Sequence, residues 1–169
     1  MKRRVFLVLG SIFSFSSILI AKNNNTIKFS SLYSVQKTIA SVQEHLFPEG
    51  SKLPSAKSTR AIDFLLETIT HHSYDKDIRL FIVQGAKELE EREKGMFISL
   101  SEDKKEQALR AYEDTSLGSN WLSQIMVLTL EGILSDPIYG SNIKKEAWVA
   151  LGTHGGEPRP KRKYIFNEV

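Results

Sequence analysis

Asp136-Pro137, set between an apolar run and Gly140, breaks a chain whose other segments read as helix. Proline has no N–H to donate and disfavours helical geometry in the residue before it, so the helix entering through Leu130 must end near Ser135. Gly140 then permits the positive φ that a tight reversal needs. Asn142 is a good N-cap for a second helix running to Trp148 and Leu151, and Gly152 sits where a C′ residue would close it. Residues Leu130–Gly152 are therefore expected to form a helix-turn-helix corner. On backbone chemistry alone that corner needs no role beyond turning the chain.

Upstream, apolar residues recur at helical spacing. Val35, Ile39, Val42 and Leu46 define one face of a helix over Ser31–Phe47, ended by Pro48 and Gly50. A loop containing Pro54 leads to a second amphipathic segment with Ile62, Leu65, Leu66 and Ile69. The third, Asp75–Lys94, places Ile78, Phe81, Ile82 and Leu89 on one face and ends in a charged stretch that reads as a solvated surface. Ser101, followed by Glu102 and Asp103, is an N-terminal signal for a fourth helix reaching about Tyr112 with Ala108 and Leu109. Ser119 or Asn120 is expected to cap the fifth, which carries Trp121, Ile125, Met126, Leu128, Thr129 and Ile133 into the corner. No alternating strand pattern of useful length occurs in this body. The expected fold is all-α, a bundle of about five to six helices.

A chain of 169 residues, 41% hydrophobic, suits one domain with a buried core. Its net charge of +3 comes from the N-terminal tip: setting aside Lys2, Arg3 and Arg4 leaves 20 basic residues against 20 acidic ones. A neutral body gives no reason to expect a nucleic-acid partner. The chain has no cysteine, which removes disulfides, thiolate metal sites, iron–sulfur clusters and Cys-x-x-Cys-His haem attachment.

The N-terminus carries an address. Lys2-Arg3-Arg4-Val5-Phe6-Leu7 opens an apolar run from Val5 to Ala21, and Arg3, Arg4, Phe6 and Leu7 fit the twin-arginine export pattern R-R-x-F-L. A plain secretory signal and an uncleaved anchor remain alternatives, because Leu19-Ile20-Ala21 does not match the usual A-x-A cleavage site. The run stands at the lower limit of the roughly 17–25 residues that span a bilayer. The chain thus divides into an export signal or anchor at 1–21, a linker at 22–30, a helical body at 31–152 and a basic tail at 153–169. Twin-arginine export carries folded proteins, usually around a cofactor, and this body has no cofactor motif. The mismatch points to a subunit that lends its signal to a cofactor-bearing partner.

A search for catalytic chemistry yields little. His71-His72 with Asp75 and Asp77 is the nearest approach to a metal cluster, but adjacent helical side chains diverge by about 100° and the ligand spacing is absent. There is no G-x-S-x-G elbow, and Gly152, Gly155 and Gly156 follow no strand, so they form no dinucleotide or phosphate loop. Trp121 and Trp148 are either core residues or interface anchors, with at least one expected to be buried. Arg159, Lys161, Arg162 and Lys163 make either an ordinary solvated end or a patch for an acidic partner or anionic lipid, with Tyr164, Ile165 and Phe166 as an apolar foot.

The corner also carries a resemblance. Thr129-Leu130-Glu131-Gly132-Ile133-Leu134-Ser135-Asp136-Pro137-Ile138-Tyr139-Gly140-Ser141-Asn142, followed by Trp148 and Leu151-Gly152, resembles the signature of the gluconate 2-dehydrogenase subunit 3 family. That family commonly shows Asp-Pro-x-Tyr-Gly-Gly-Asn, a following tryptophan and a Gly-Phe-Pro-Gly close. Here Ser141 replaces the second glycine, and the close reads Gly152-Thr153-His154-Gly155. An apolar helix ending in Leu46-Phe47-Pro48 is similar to the family's beginning, so the resemblance runs from about Leu46 to Gly152.

The resemblance implies a non-catalytic small subunit of a periplasmic dehydrogenase complex. Its partner would be a large FAD-bearing flavoprotein of the glucose-methanol-choline type that oxidises gluconate or another sugar or sugar acid, often with a cytochrome c subunit. This chain would hold no cofactor or metal, and would escort the large subunit through the twin-arginine translocase and stabilise it. Asp136, Pro137, Tyr139, Gly140, Asn142, Trp148 and Gly152 would then form a rigid corner facing the flavoprotein, Asp136 and Asn142 through turn and cap hydrogen bonds, Tyr139 and Trp148 through packing. Two rivals stand beside it: a freestanding periplasmic protein with a ligand pocket between helices, and an enzyme using Asp136, Tyr139 or His154 in a cleft.

Overall fold

Six helices follow one another in the computed structural model, which describes residues 29–163. The expected export signal with Arg3, Arg4, Phe6 and Leu7, and the apolar foot Tyr164-Ile165-Phe166, lie outside the described residues. The helices are α1 (Phe29–Leu46), α2 (Ala61–Thr70), α3 (Lys76–Arg92), α4 (Glu102–Glu113), α5 (Ser116–Leu134) and α6 (Glu146–Ala150), with single 3-10 turns at Phe97–Ser99 and Pro137–Tyr139. Among the described residues there is no strand, and no helix is long and apolar enough to cross a membrane.

α5 is the axis of the bundle and packs against each of the other five helices. It owes this to an apolar surface on more than one side: Trp121, Leu122, Ile125, Leu128 and Ile133 are all buried. The core around it takes Val35, Ile39 and Val42 from α1, Leu65 and Ile69 from α2, Ile82, Val83 and Leu89 from α3, and Leu109 and Tyr112 from α4. Trp121 removes roughly 200 Å² from water, worth about 5 kcal/mol by area. Its indole N–H donates to the Ile82 carbonyl at 2.9 Å, so the burial leaves no orphan donor.

Two glycines set how closely the helices approach. A Cβ on Gly85 would lie 2.1 Å from the Trp121 ring, so the indole lies directly on the α3 backbone. A Cβ on Gly118 would lie 1.9 Å from the Tyr112 carbonyl oxygen, which lets α5 restart immediately after α4. The expected start of the fifth helix at Ser119 or Asn120 is therefore too late. Thr115 is the N-cap, its hydroxyl accepting the Gly118 N–H at 3.0 Å, and Ser119 and Asn120 are exposed helical positions.

Other local expectations need adjustment. Asp75 caps α3, accepting from Asp77 N and Ile78 N at 2.8 and 3.0 Å, but Ile78 itself is exposed. Ser101 occupies the N-cap position of α4 without a side-chain capping bond, while Glu102 turns to Lys105 and His45. Met126, assigned to the inner face of the fifth helix, is exposed. α1 begins at Phe29, inside the stretch read as linker.

A second, smaller apolar cluster joins Ala56, Ala61, Ile133 and Ala147, with Phe47 against it. Small residues permit this crossing: a Cβ on Gly132 of α5 would stand only 3.2 Å from the Ala61 Cα of α2. The cluster seats the corner on the rest of the bundle.

Candidate functional site

The corner is held by a closed set of hydrogen bonds. α5 ends at Leu134, with Ser135 as its C-cap. Asp136 Oδ1 then accepts the Ile138 N–H at 3.0 Å, a short turn that starts the 3-10 segment Pro137–Tyr139. Gly140 closes it with φ +88°, its N–H donating to the Pro137 carbonyl at 3.0 Å. Thus Asp136, Pro137 and Gly140 play the backbone parts expected of them. Tyr139 is half-buried at the end of this turn.

Asn142 plays a larger part than a cap. It is buried with φ +47°, a left-handed conformation that asparagine tolerates. Its N–H donates to the Thr59 carbonyl at 2.8 Å, its Nδ2 to the Ser135 carbonyl at 3.0 Å, and its Oδ1 accepts from Ala147 N at 3.3 Å. One side chain therefore ties the end of α5 to the start of α6, while its backbone holds the loop before α2. The expectation that Asn142 is the N-cap of the last helix is corrected: Lys145, with φ +57°, holds that position, and α6 runs only from Glu146 to Ala150. The Asn142 carbonyl instead accepts the Lys145 N–H at 2.8 Å in a turn, and the helix starts after it.

Ser141 fills the place of the family's second glycine. It is fully buried, its hydroxyl donating to the Gly132 carbonyl at 2.8 Å and lying 2.7 Å from the Ser135 hydroxyl. No positive φ is required there. At the far end Gly152, φ +63°, sits at C′ and donates to Val149 O at 3.0 Å, while Thr153 N donates to Trp148 O at 2.9 Å. These two bonds make a Schellman close.

Trp121 and Trp148 are both buried. Trp148 Nε1 donates to the Leu134 carbonyl at 2.8 Å, satisfying an orphan acceptor at the end of α5. The tail then crosses the ring. Gly155 lies against it so closely that a Cβ would come within 2.6 Å, and the Arg159 guanidinium stands 4.8 Å from the ring centroid. Arg159 Nε donates to Asp136 Oδ2 at 2.6 Å, and Lys163 pairs with Glu67 on α2. The basic tail thus docks on its own body, a course that neither sequence reading of it contained. Arg159 was beyond reach of sequence reasoning because its partner lies 23 residues away and no periodicity links them.

The electrostatics follow. The Arg159 hydrogen bond, aided by the Ile138 N–H, holds the Asp136 carboxyl below its ordinary value. An ionised, salt-bridged carboxylate serves as a structural acceptor. Around it opens a cavity of about 410 Å³ lined by Leu134, Asp136, Trp148, Leu151, Thr153 and His154. His71 and His72 do not join a cluster: His71 Nδ1 lies 2.7 Å from the Ser73 hydroxyl, and Asp75 is engaged at the α3 cap. Among the described residues no three His, Asp or Glu side chains converge to hold a metal.

Beside the exposed Lys144 and Lys145, the corner turns four apolar side chains outward. Val149 is 76% exposed, Ile143 51%, Leu151 46% and Leu134 38%. Sequence reasoning did not single out Val149 or Ile143, and it gave Leu134 and Leu151 no outward role. The signal was present in Trp148-Val149, since neighbours on a helix point about 100° apart and a buried Trp148 sends Val149 outward.

The fold and this site define a small protein, all-helical among the described residues, built around one hydrogen-bonded corner with exposed apolar side chains. The chain belongs to the gluconate 2-dehydrogenase subunit 3 family: the model of that family, described as Gluconate 2-dehydrogenase subunit 3, matches residues 34–156, from early α1 to just past Gly155 on Trp148. The family is a subunit of a multi-subunit dehydrogenase. No curated protein and no solved structure gives a significant match.

Proposed function

We propose that this protein is the non-catalytic small subunit of a periplasmic, FAD-dependent gluconate or sugar dehydrogenase, and that the rim of its corner docks on the FAD-bearing large subunit. The observation that carries this reading is the pairing of a rigid frame with exposed apolar side chains inside the matched family region. Asn142, Ser141 and Trp148 hold the frame from within, and Val149, Leu151, Ile143 and Leu134 stand outward on it. Exposed apolar side chains on a preorganised backbone suit a protein interface, because little conformational freedom is left to lose on binding.

The large subunit supplies FAD and oxidises the substrate, and a cytochrome c subunit takes the electrons onward. The Arg3-Arg4 signal carries the assembled pair through the twin-arginine translocase to the periplasmic face of the inner membrane. Asp136 and Arg159 neutralise one another beside the apolar rim, so docking there buries no unpaired charge from this pair. The test is co-expression with a flavoprotein encoded beside this chain, followed by purification through a tag on this chain. The flavoprotein with bound FAD should co-purify in fixed ratio. Recovery of this chain as a stable monomer from cells that contain the folded flavoprotein contradicts the reading.

A further inference from the structure

Charge is divided unevenly along the described chain. With histidine neutral, residues 29–140, which hold the first five helices and the turn after them, carry 12 basic and 17 acidic side chains, a net of −5. Residues 141–163, which hold α6 and the tail, carry six basic and two acidic, a net of +4. Arg159 and Lys163 hold two carboxylates of the body, Asp136 and Glu67. Counted with the corner, those two acids still leave it at +2 and the body at −3. A near-neutral sum conceals two regions of opposite sign.

The fold sets the positive region beside the apolar side chains of the corner. Lys144 follows the exposed Ile143, its Nζ 3.4 Å from Glu146. Lys145 is exposed just before α6, the helix that carries Val149, and its charge acts on the Asp136 carboxylate that Arg159 contacts. Lys161 is exposed one residue beyond Pro160, which lines the same cavity as Leu134 and Leu151. Two separate segments, meeting at Asp136, thus bring their cations to one apolar patch. An anionic bilayer also attracts cations, but a helix lying in its interface presents a long apolar stripe, and α6 has only five residues. The exposed apolar side chains come instead from the end of α5, the turn and α6 with its C-cap, a discontinuous patch that suits a shaped protein surface.

We infer that the flavoprotein meets this corner with an apolar face fringed by acidic side chains, and that Lys145 and Lys161 steer the two proteins together. The inference rests on the proposed partnership and deepens it by naming the chemistry of the partner's surface. Apolar contact supplies the affinity, while opposite charge sets the rate and orientation of encounter. The acidic body is repelled by the same face, so the subunit arrives corner first.

The decisive experiment measures the association rate of the purified subunit with the purified flavoprotein at about 0.05 M and about 0.5 M salt, between which screening of exposed charges becomes nearly complete. Three proteins are compared: wild type, a corner variant with Lys145→Gln and Lys161→Gln, and a body variant with Lys87→Gln and Lys104→Gln. All four lysines are exposed, so both variants should melt with wild type. Wild type should associate about tenfold faster at low salt than at high salt. The corner variant should be roughly threefold to tenfold slower than wild type at low salt and equal to it at high salt. The body variant, which loses the same charge from α3 and α4, should be no slower than wild type. Equal rates and salt dependence for wild type and the corner variant overturn the inference while the partnership stands. Equal slowing of both variants reports net charge alone and also overturns it. So does binding of wild type to phosphatidylglycerol-containing vesicles that the corner variant loses while its flavoprotein association is unchanged, which assigns the patch to lipid. If wild type does not bind the flavoprotein at either salt, the proposed function fails, and this surface loses its partner with it.

Discussion

Arg159 donates through Nε to Oδ2 of Asp136 at 2.6 Å, linking the C-terminal tail to the turn that follows α5. The same guanidinium lies over Trp148, so the tail covers the ring that seats α6. A proline-bound turn, a buried indole and a tail cation act as one unit.

That unit should respond to acid. The folded Asp136 carboxyl lies below its ordinary value of 3.8, chiefly through the Arg159 hydrogen bond. A group whose pKa is lowered on folding contributes stability above its unfolded value and loses it as pH falls through the folded one. Wild type should therefore exceed Asp136→Asn in stability at neutral pH, and the gap should close as pH drops below 3.8. Urea unfolding of both proteins across that range checks it.

Tyr112 predicts the opposite limb. Burial, and secondarily the nearby Glu88, pushes its phenol from 10.0 to about 12, while Arg92 opposes the shift. Here the folded value is raised, so the contribution is complete below pH 10 and is lost as pH rises towards 12. Tyr112→Phe should flatten the alkaline part of the stability profile, and ultraviolet titration of that variant should lose a late-ionising tyrosine that wild type shows.

Gly85 tests the core. Its hydrogen sits beneath the Trp121 ring, and its carbonyl accepts the Tyr112 hydroxyl at 3.0 Å. Gly85→Ala forces the ring off the α3 backbone and should cost about 1–3 kcal/mol, the scale of overpacking, despite alanine's better helix propensity. Chemical denaturation gives the value directly.

Which of these features could be read in the chain follows from their range. Asp136-Pro137, Gly140 and Gly152 act on their own backbone, so proline and glycine chemistry located the corner, and the heptad-like spacing of Val35, Ile39 and Val42 located the core face of α1. Asn142 was placed correctly in the corner but misjudged in role, because its left-handed φ and its bonds to Thr59, Ser135 and Ala147 are settled by tertiary packing. The late start assigned to α5 has a similar cause: only the close approach of Gly118 to Tyr112 shows why Thr115 is the cap. Arg159 depends on a partner 23 residues away along the chain.

The proposed export role of Arg3 and Arg4 gives a prediction independent of the fold. Replacing Arg3 and Arg4 by lysine should leave the flavoprotein in the cytoplasm while its FAD content and specific activity in the lysate stay normal. Fractionation with an immunoblot for the large subunit reads this out, and normal periplasmic delivery would remove the escort role.

The most direct measurement concerns the rim. Val149 and Leu151 are exposed, so Val149→Asp with Leu151→Asp should change the free subunit's stability by no more than about 0.5 kcal/mol per site. Titration of the double variant against the purified flavoprotein should nonetheless show binding weakened by roughly a hundredfold or lost, as expected for charges forced into an apolar interface. Wild-type affinity in that titration would contradict the account and leave the corner as a structural turn alone.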